Sequence, residues 1–236
     1  MSLKNIVVHA PHASTVLPER FRDQFVISDQ ELEQEVLASA DLWTDVLAQQ
    51  CWPQANIITP EVSRVLLDVE RYSDDSLEGM SKVGRGMIYS HSHTGEQIRR
   101  HITAAERREL HYLYYVSHWD HLRASAEGSV LLDLHSYPQK AWPIEPNAGA
   151  SRPEIDLGHT SGLTSHEWLA NLTKYFQSEG YSVGHNTPYD GVIDAGATDA
   201  VMIEIRRDVL GDGPGCQLWG RLVSSLTEMP LPGIDQ

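Results

Sequence analysis

Residues 129–137 read Ser-Val-Leu-Leu-Asp-Leu-His-Ser-Tyr, and this stretch indicates the fold class. Its first part is almost continuously apolar, which is typical of a central strand that is covered on both faces. Its titratable residues come later, and Asp133 and His135 are two positions apart. Side chains two apart on a strand point to the same face. The stretch therefore predicts a buried strand that carries a carboxylate and an imidazole side by side near its end.

Short apolar strands and amphipathic helices alternate on either side of this stretch. Strands are expected at residues 6–8, 57–58, 65–67, 183 and 201–205. Helices are expected from a capping-box pattern at 28–31 to about residue 50, from a second at 103–106 through the 120s, from 164–167 to Gly180, and after Pro214. This alternation predicts an α/β sheet with helices on both faces, and ligands bind such sheets beyond the carboxyl ends of the strands.

Composition and charge exclude several classes of protein. The 236 residues are 41% hydrophobic and 22% charged, which predicts one globular domain over residues 1–236. The net charge of −15 is the wrong sign for a protein that binds nucleic-acid phosphates or an anionic membrane. The chain has two cysteines, no long apolar run and no secretory signal pattern, so we expect a cytoplasmic protein with a small-molecule substrate.

Titratable residues occur where the predicted strands end. His12 follows the first strand, and His135 follows the central one. A single histidine at such a position is more often a hydrogen-bonded structural residue than a metal ligand, although histidine is the commonest ligand. Glu204 is the strongest candidate, because it lies between two isoleucines in an apolar strand. A carboxylate buried there has to be paired, bound to a metal or shifted in pKa.

Taken together, these segments resemble the N-formylglutamate amidohydrolase family. The matching segments follow the family's order along the chain, at residues 10–14, 40–42, 63–71, 133–136, 155–158, 189–191 and 203–205. Residues 134–137, residues 203–206 and the Asp68-x-x-Arg71 spacing also resemble segments of zinc carboxypeptidases. The resemblance implies a three-layer α/β/α sandwich around a mixed, mostly parallel sheet of the phosphorylase/hydrolase type.

The resemblance also implies a metal-dependent hydrolase of a carbon–nitrogen bond. One Zn²⁺ per chain would be held by His12, Asp41 and His135, and Mn, Fe or Co would also suit these donors. Asp41 is chosen by its match to the family and not by its spacing. Glu204 would act as general base, and Arg64 would stabilise the oxyanion. The other implied roles are substrate binding by Arg71, Tyr189, Gly191 and Ser136, and support of the ligands by Asp68 and Asp133.

The chain departs from the family pattern at Glu70, where the family has asparagine next to the arginine at position 71. A negative charge there would repel an acidic substrate. Three interpretations therefore stay open. The first is an amidohydrolase for N-formylglutamate or a related N-acyl amino acid, and the second is a carboxypeptidase-like peptidase or amidase. The third is a small-molecule-binding protein that has lost catalysis. The oligomeric state is not predicted.

Overall fold

The computed structural model describes residues 5–233, and a six-stranded sheet lies at its centre. The strands are β1 (Ile6–His9), β2 (Asn56–Ile58), β3 (Val130–Tyr137), β4 (Ile155–Gly158), β5 (Val183–His185) and β6 (Asp199–Arg206). Their order across the sheet is β2-β1-β3-β6-β4-β5, and only the β4–β6 pair is antiparallel. The prediction of a mixed, mostly parallel sheet is confirmed. A single domain over residues 1–236 stays a prediction, since 1–4 and 234–236 lie outside the described residues.

Helices cover both faces of the sheet, as predicted. They are α1 (Asp29–Ser39), α2 (Thr44–Cys51), α3 (Ala104–Leu110), α4 (Ser117–Ala126), α5 (His166–Ser178) and α6 (Gln217–Glu228), with a π-helical turn (His111–Val116) joining α3 to α4. Helices α2, α5 and α6 share one apolar core with the sheet, whereas α4 packs on the opposite face. Within residues 5–233, no helix is long and apolar enough to span a membrane.

The helix expected from residue 28 to 50 is interrupted, so that prediction is wrong in one detail. The capping box at Ser28 forms as predicted, but α1 ends at Ser39 and α2 begins at Thr44. Between them the backbone becomes extended at Ala40 and left-handed at Trp43, with φ of 68°. This break matters for the candidate site, because it takes Asp41 out of a helix. The carboxylate of Asp41 is thereby turned toward the end of β3.

The strand expected at residues 65–67 is not formed, and that prediction is wrong. These residues lie in turns, and their side chains are buried in a separate apolar cluster that includes Phe21 and Phe25. The guanidinium of Arg99 donates hydrogen bonds of 3.2 Å to the carbonyls of Val65 and Leu66. A buried arginine thus satisfies carbonyl groups that a neighbouring strand would otherwise have paired.

The helix expected from residues 164–167 begins slightly later than its capping pattern indicates. Helix α5 begins at His166, and its N-cap residue Ser165 makes no side-chain capping bond. The hydroxyl of Thr164 donates instead to the carbonyl of Ala200 in β6, at 2.6 Å. The residue ties the loop to the sheet rather than capping the helix.

Candidate active site at the carboxyl ends of the strands

Four titratable side chains lie together because of strand register. In the parallel pairs, His9 of β1 is opposite Asp133 of β3, and His135 of β3 is opposite Glu204 of β6. Directly opposite residues point to the same face, and residues two apart do so as well. All four are buried, with at most 5% of any residue exposed. The sheet therefore presents a polar row on one face at its carboxyl end.

The three predicted metal ligands meet at one carboxylate oxygen. Oδ2 of Asp41 lies 3.4 Å from Nδ1 of His12 and 3.4 Å from Nδ1 of His135. Donors on a tetrahedral metal with bonds of about 2.0–2.1 Å are separated by roughly 3.3–3.4 Å, so each of these pairs has a suitable spacing. Nδ1 of His12 is buried and has no hydrogen-bond partner among residues 5–233. Two of the three donor pairs, and this unpartnered atom, therefore suit a metal of that coordination.

A second carboxylate, Glu70, faces the opposite edges of the same two imidazoles. Its Oε2 lies 3.5 Å from Nε2 of His12 and 3.3 Å from Nε2 of His135, and one atom of each residue lies within 4.8 Å of the others. Nε2 of His12 also hydrogen-bonds the carboxylate of Asp68 at 3.0 Å, whereas Nε2 of His135, 3.2 Å from Asp133, has no hydrogen-bond partner among residues 5–233. An Nε2–H that donates to a carboxylate leaves Nδ1 as the lone-pair donor. For His12, Nδ1 is therefore the better candidate for a metal ligand.

Asp68 connects this cluster to two arginines. Its Oδ2 accepts bonds from Nε and Nη2 of Arg64, at 3.0 and 2.7 Å, and lies 3.8 Å from Nε of Arg71. Burial alone would raise the pKa of Asp68, but Arg64, His12 and Arg71 more than offset it and hold that pKa well below its usual range. Arg64 also lies 4.0 Å from the carboxylate of Asp41. It is therefore placed at the mouth of the predicted metal centre.

Glu204 differs from the other carboxylates in its electrostatics. Burial raises the pKa of Glu204 to about 8, and the negative charges of Asp41 and Asp156 add to this while His135 opposes it. Its Oε2 is buried without a hydrogen-bond partner among the described residues. By contrast, the histidines more than offset the burial of Asp41 and hold its pKa well below the usual range. Two carboxylates in one site thus differ strongly in proton affinity, which is the pattern of acid–base pairs.

One cavity of about 1190 Å³ opens over these groups. The predicted residues that line it are His12, Asp41, Arg64, Arg71, Asp133, His135, Ser136, Tyr189, Gly191 and Glu204. Asp68 does not line the cavity, but it hydrogen-bonds residues that do, among them His12 and Arg64. The amide of Ser136 donates to Asp41 Oδ2 at 3.1 Å, so this residue supports a ligand as well as facing the cavity. The structure brings all of the predicted site residues to one place.

Sequence analysis missed three basic residues of the site. His9 is fully buried beside Asp133, and its Nε2 lies 2.8 Å from Nε2 of His118. His118, on helix α4, is only 9% exposed. Burial, and next the charge of His9, lower the pKa of His118 to about 3. His118 lies one helical turn before buried Leu122, and this spacing could have indicated its burial.

Arg207 is the third missed residue, and it holds the segment between α1 and α2 in place. Its guanidinium donates to the carbonyls of Ala38 and Ala40, both at 2.8 Å, and to Oδ1 of Asp41 at 3.3 Å. These contacts join positions about 167 residues apart in the chain. No local pattern in the sequence indicates them.

The mixed sheet is covered by helices on both faces and carries buried histidines and carboxylates at the carboxyl ends of its strands. This architecture places the chain in the α/β class. The family model for N-formylglutamate amidohydrolase matches residues 4–210. The chain therefore belongs to the N-formylglutamate amidohydrolase family, whose members hydrolyse carbon–nitrogen bonds. This confirms the family that the sequence motifs indicated.

Two solved structures have a similar fold. The crystal structure of N-formylglutamate amidohydrolase from Ralstonia eutropha JMP134 has a TM-score of 0.78 and 21% identity, with 95% of this chain and 90% of that chain covered. A gene product from Agrobacterium tumefaciens has a TM-score of 0.69 and 18% identity, with 94% and 86% covered. No curated protein matches the chain in sequence. At these identities, the likeness concerns the fold alone.

Proposed function

We propose that the chain is a metal-dependent amidohydrolase that cleaves an N-acyl amino acid. The observation that carries this proposal is the approach of two imidazole Nδ1 atoms, from His12 and His135, to one carboxylate oxygen of Asp41. Two neutral imidazoles and one carboxylate suit zinc, and three protein donors leave a position open for water or substrate. Two free cysteines agree with a reducing compartment such as the cytoplasm.

The residues around the metal position divide the chemistry between them. When bound, the metal would supply Lewis-acid polarisation of the amide carbonyl and of the attacking water. Glu204 would remove a proton from that water and pass it to the leaving amine, a role that suits a buried carboxyl with a raised pKa. Arg64, 4.0 Å from Asp41, would stabilise the oxyanion that develops on the carbonyl.

The proposed substrate is N-formylglutamate or a related N-acyl amino acid. Arg71 is half-buried at the cavity, its Nε has no hydrogen-bond partner among residues 5–233, and its planar fork could hold a substrate carboxylate. Tyr189 and Gly191 line the cavity and would contact the acyl or side-chain part of the substrate. The cavity of about 1190 Å³ is larger than a formyl amino acid needs, which favours a broader acyl range.

Metal content tests the first part of this proposal. We would measure it by elemental mass spectrometry on purified wild type beside Asp41→Ala and His135→Ala. The expected result is zinc or another divalent metal in the wild type, with the equivalent assigned to this site lost in both variants. Loss only in His135→Ala would remove Asp41 from the ligand set. Metal-free wild type, even after zinc is added back, would favour a binding protein without catalysis.

A substrate panel tests the second part. N-formyl, N-acetyl and longer N-acyl amino acids would be compared with short peptides, each with a free and an amidated carboxyl terminus. Turnover of N-acyl amino acids with a free carboxylate is expected. Preference for peptides would favour the carboxypeptidase-like interpretation.

A further inference from the structure

We propose that His9, Glu70 and Asp133 form a second site for a divalent transition-metal cation. The site lies beside the hydrolase metal position but uses different donor atoms. One ligand atom from each of the three residues lies within 4.8 Å of the other two. Nδ1 of His9 is 2.9 Å from Oδ1 of Asp133 and 3.6 Å from Oε1 of Glu70. Neighbouring donors around a metal with bonds of about 2.1 Å lie roughly 3.0–3.4 Å apart, so both distances from His9 lie close to this range.

Two carboxylate oxygens at this point make no hydrogen bond within the described residues. Oε1 of Glu70 and Oδ2 of Asp133 are buried, and neither has a hydrogen-bond partner among residues 5–233. The side chains are 8% and 1% exposed, so water satisfies them poorly. An unpartnered buried carboxylate oxygen is costly. A cation bound here would satisfy Oε1 of Glu70, and it would also satisfy Oδ2 of Asp133 where that carboxylate binds through both oxygens.

The surroundings of His9 suit a metal ligand. His9 is fully buried, and its Nε2 lies 2.8 Å from Nε2 of His118. Nδ1 of His9 is in hydrogen-bond contact with Oδ1 of Asp133 at 2.9 Å, and a cation bound there would take the place of the shared proton. Nε2 of His9 would then carry the proton and donate it to His118, which leaves the Nδ1 lone pair for the metal. Metal-ligating histidines usually donate their other N–H to such a partner, which fixes the ring and its tautomer. His118 is therefore the positioning partner and not a ligand.

Glu70 separates the two metal positions. Its Oε2 faces the Nε2 edges of His12 and His135, whereas its Oε1 faces His9. The hydrolase metal is assigned to the opposite, Nδ1 edges of the same two imidazoles. One imidazole with two carboxylates suits zinc or manganese. An amide at position 70 would have only one oxygen and no charge, so the second site depends on the carboxylate of Glu70 in this chain.

The decisive experiment counts metal ions per chain. Metal-free full-length protein is loaded separately with ZnCl₂ and with MnCl₂, desalted and analysed by elemental mass spectrometry. We expect about two equivalents in the wild type with at least one of the two metals, and about one in His9→Gln, which keeps a group near His118 but removes the Nδ1 ligand. The matched control His118→Gln changes a neighbouring histidine outside the ligand trio and is expected to retain both equivalents.

Two further variants distinguish failure of the second site from failure of the proposed hydrolase metal. Glu70→Gln is expected to lose one equivalent, and it decides the question if His9→Gln fails to fold, as judged by circular dichroism and thermal melting. Asp41→Ala is expected to lose the hydrolase metal and to keep the second ion. Loss in His9→Gln with retention in Asp41→Ala supports the second site even if the hydrolase metal proves absent.

Other results would overturn the second site. One equivalent in the wild type, lost in Asp41→Ala but kept in His9→Gln and Glu70→Gln, leaves the proposed function intact and removes the second site. No metal in any sample, with either salt, removes the second site and the metal of the proposed function together.

Discussion

On one face of the sheet, strands β1, β3 and β6 present aliphatic side chains to α2, α5 and α6, whereas on the other face they end in charged and imidazole groups. The aliphatic face includes Ile6, Val8, Leu132, Leu134, Ile203 and Ile205. The opposite face begins with apolar residues under α4, such as Leu131 and Ala200, and becomes polar toward the carboxyl ends. Within the same strands, one face therefore contributes apolar packing to stability, and the other carries the groups proposed for catalysis.

The difference follows from the alternation of side chains along a strand. Asp133 and His135 flank Leu134, yet Leu134 points into the apolar core and the other two point toward the cavity. The helices that cover the apolar face also hold the strands rigid. Groups on rigid strands keep a more precise geometry than groups on loops. The comparison predicts that substitutions on the two faces have separable effects.

The largest expected effect is on the polar face. Glu204→Gln removes the proposed general base and keeps the shape of the side chain, so kcat is expected to fall by about 10²–10⁴-fold. The metal content and the melting temperature should not fall, because the variant keeps the size of the buried side chain and removes no ligand. Steady-state kinetics, elemental analysis and thermal melting check these points on one preparation. Near-normal turnover would remove the general-base assignment.

On the apolar face, Leu134→Ala is expected to reduce the free energy of unfolding by about 2–5 kcal/mol, because it leaves a cavity in a fully buried core. Urea unfolding measures this change. At a temperature where the variant is folded, kcat should stay within about twofold of wild type. A large fall in kcat with little loss of stability would contradict the separation of the two faces.

Arg71→Lys tests whether a residue in the loops above the polar face binds the substrate carboxylate. The ammonium of lysine cannot reproduce the planar fork, so KM for an N-acyl amino acid is expected to rise by about 10–100-fold, with kcat changed less. The amidated form of an N-acyl amino acid with an uncharged side chain serves as control, since it carries no carboxylate and should show little change. Equal effects on both substrates would mean that this arginine does not hold the carboxylate.

The smallest expected effect concerns Asp156, which lies opposite Glu204 in the antiparallel β4–β6 pair. Burial raises its pKa from 3.8 to about 7, although the amide of Thr187 donates to its carboxylate and opposes the shift. The folded state therefore binds more protons than the unfolded state between these values, and this residue makes stability fall as pH rises from about 4 to 7.

Asp156→Asn removes this titration and can keep the acceptor for Thr187. The variant is expected to be more stable than wild type at pH 8, with a smaller advantage at pH 5. Urea unfolding at the two pH values measures the difference. Glu204 contributes a pH dependence of the same sign, so the comparison is between variant and wild type at each pH. A larger advantage at pH 5 would contradict the assigned direction.

Much of the fold and of the polar row could be predicted from local sequence. The apolar run before Asp133, the two capping boxes and the isolated Glu204 are local features, and each lies where the sequence analysis expected it. The expected strand at 65–67 does not form, and the carbonyl groups of Val65 and Leu66 are satisfied by Arg99, more than 30 residues away in the sequence. Apolar content alone does not distinguish a strand from a buried turn.

The motif match could place Asp41 near the site, but it could not show how the residue arrives there. That placement depends on the break between α1 and α2 and on Arg207, which donates to Ala38 and Ala40. The roles assigned to the ligands, base and arginines stay predictions until they are measured. Their proximity is a feature of the tertiary structure.

The sequence by itself determined the α/β class, the central strand and the side of that strand on which Asp133 and His135 lie, because alternation and burial are encoded in neighbouring residues. Only the tertiary structure decided which groups face one another there. It placed His9 against His118 and turned Glu70 between three imidazoles. The physical reason is the separation of these residues along the sequence. Contacts between residues more than 50 positions apart depend on how the loops and helices pack.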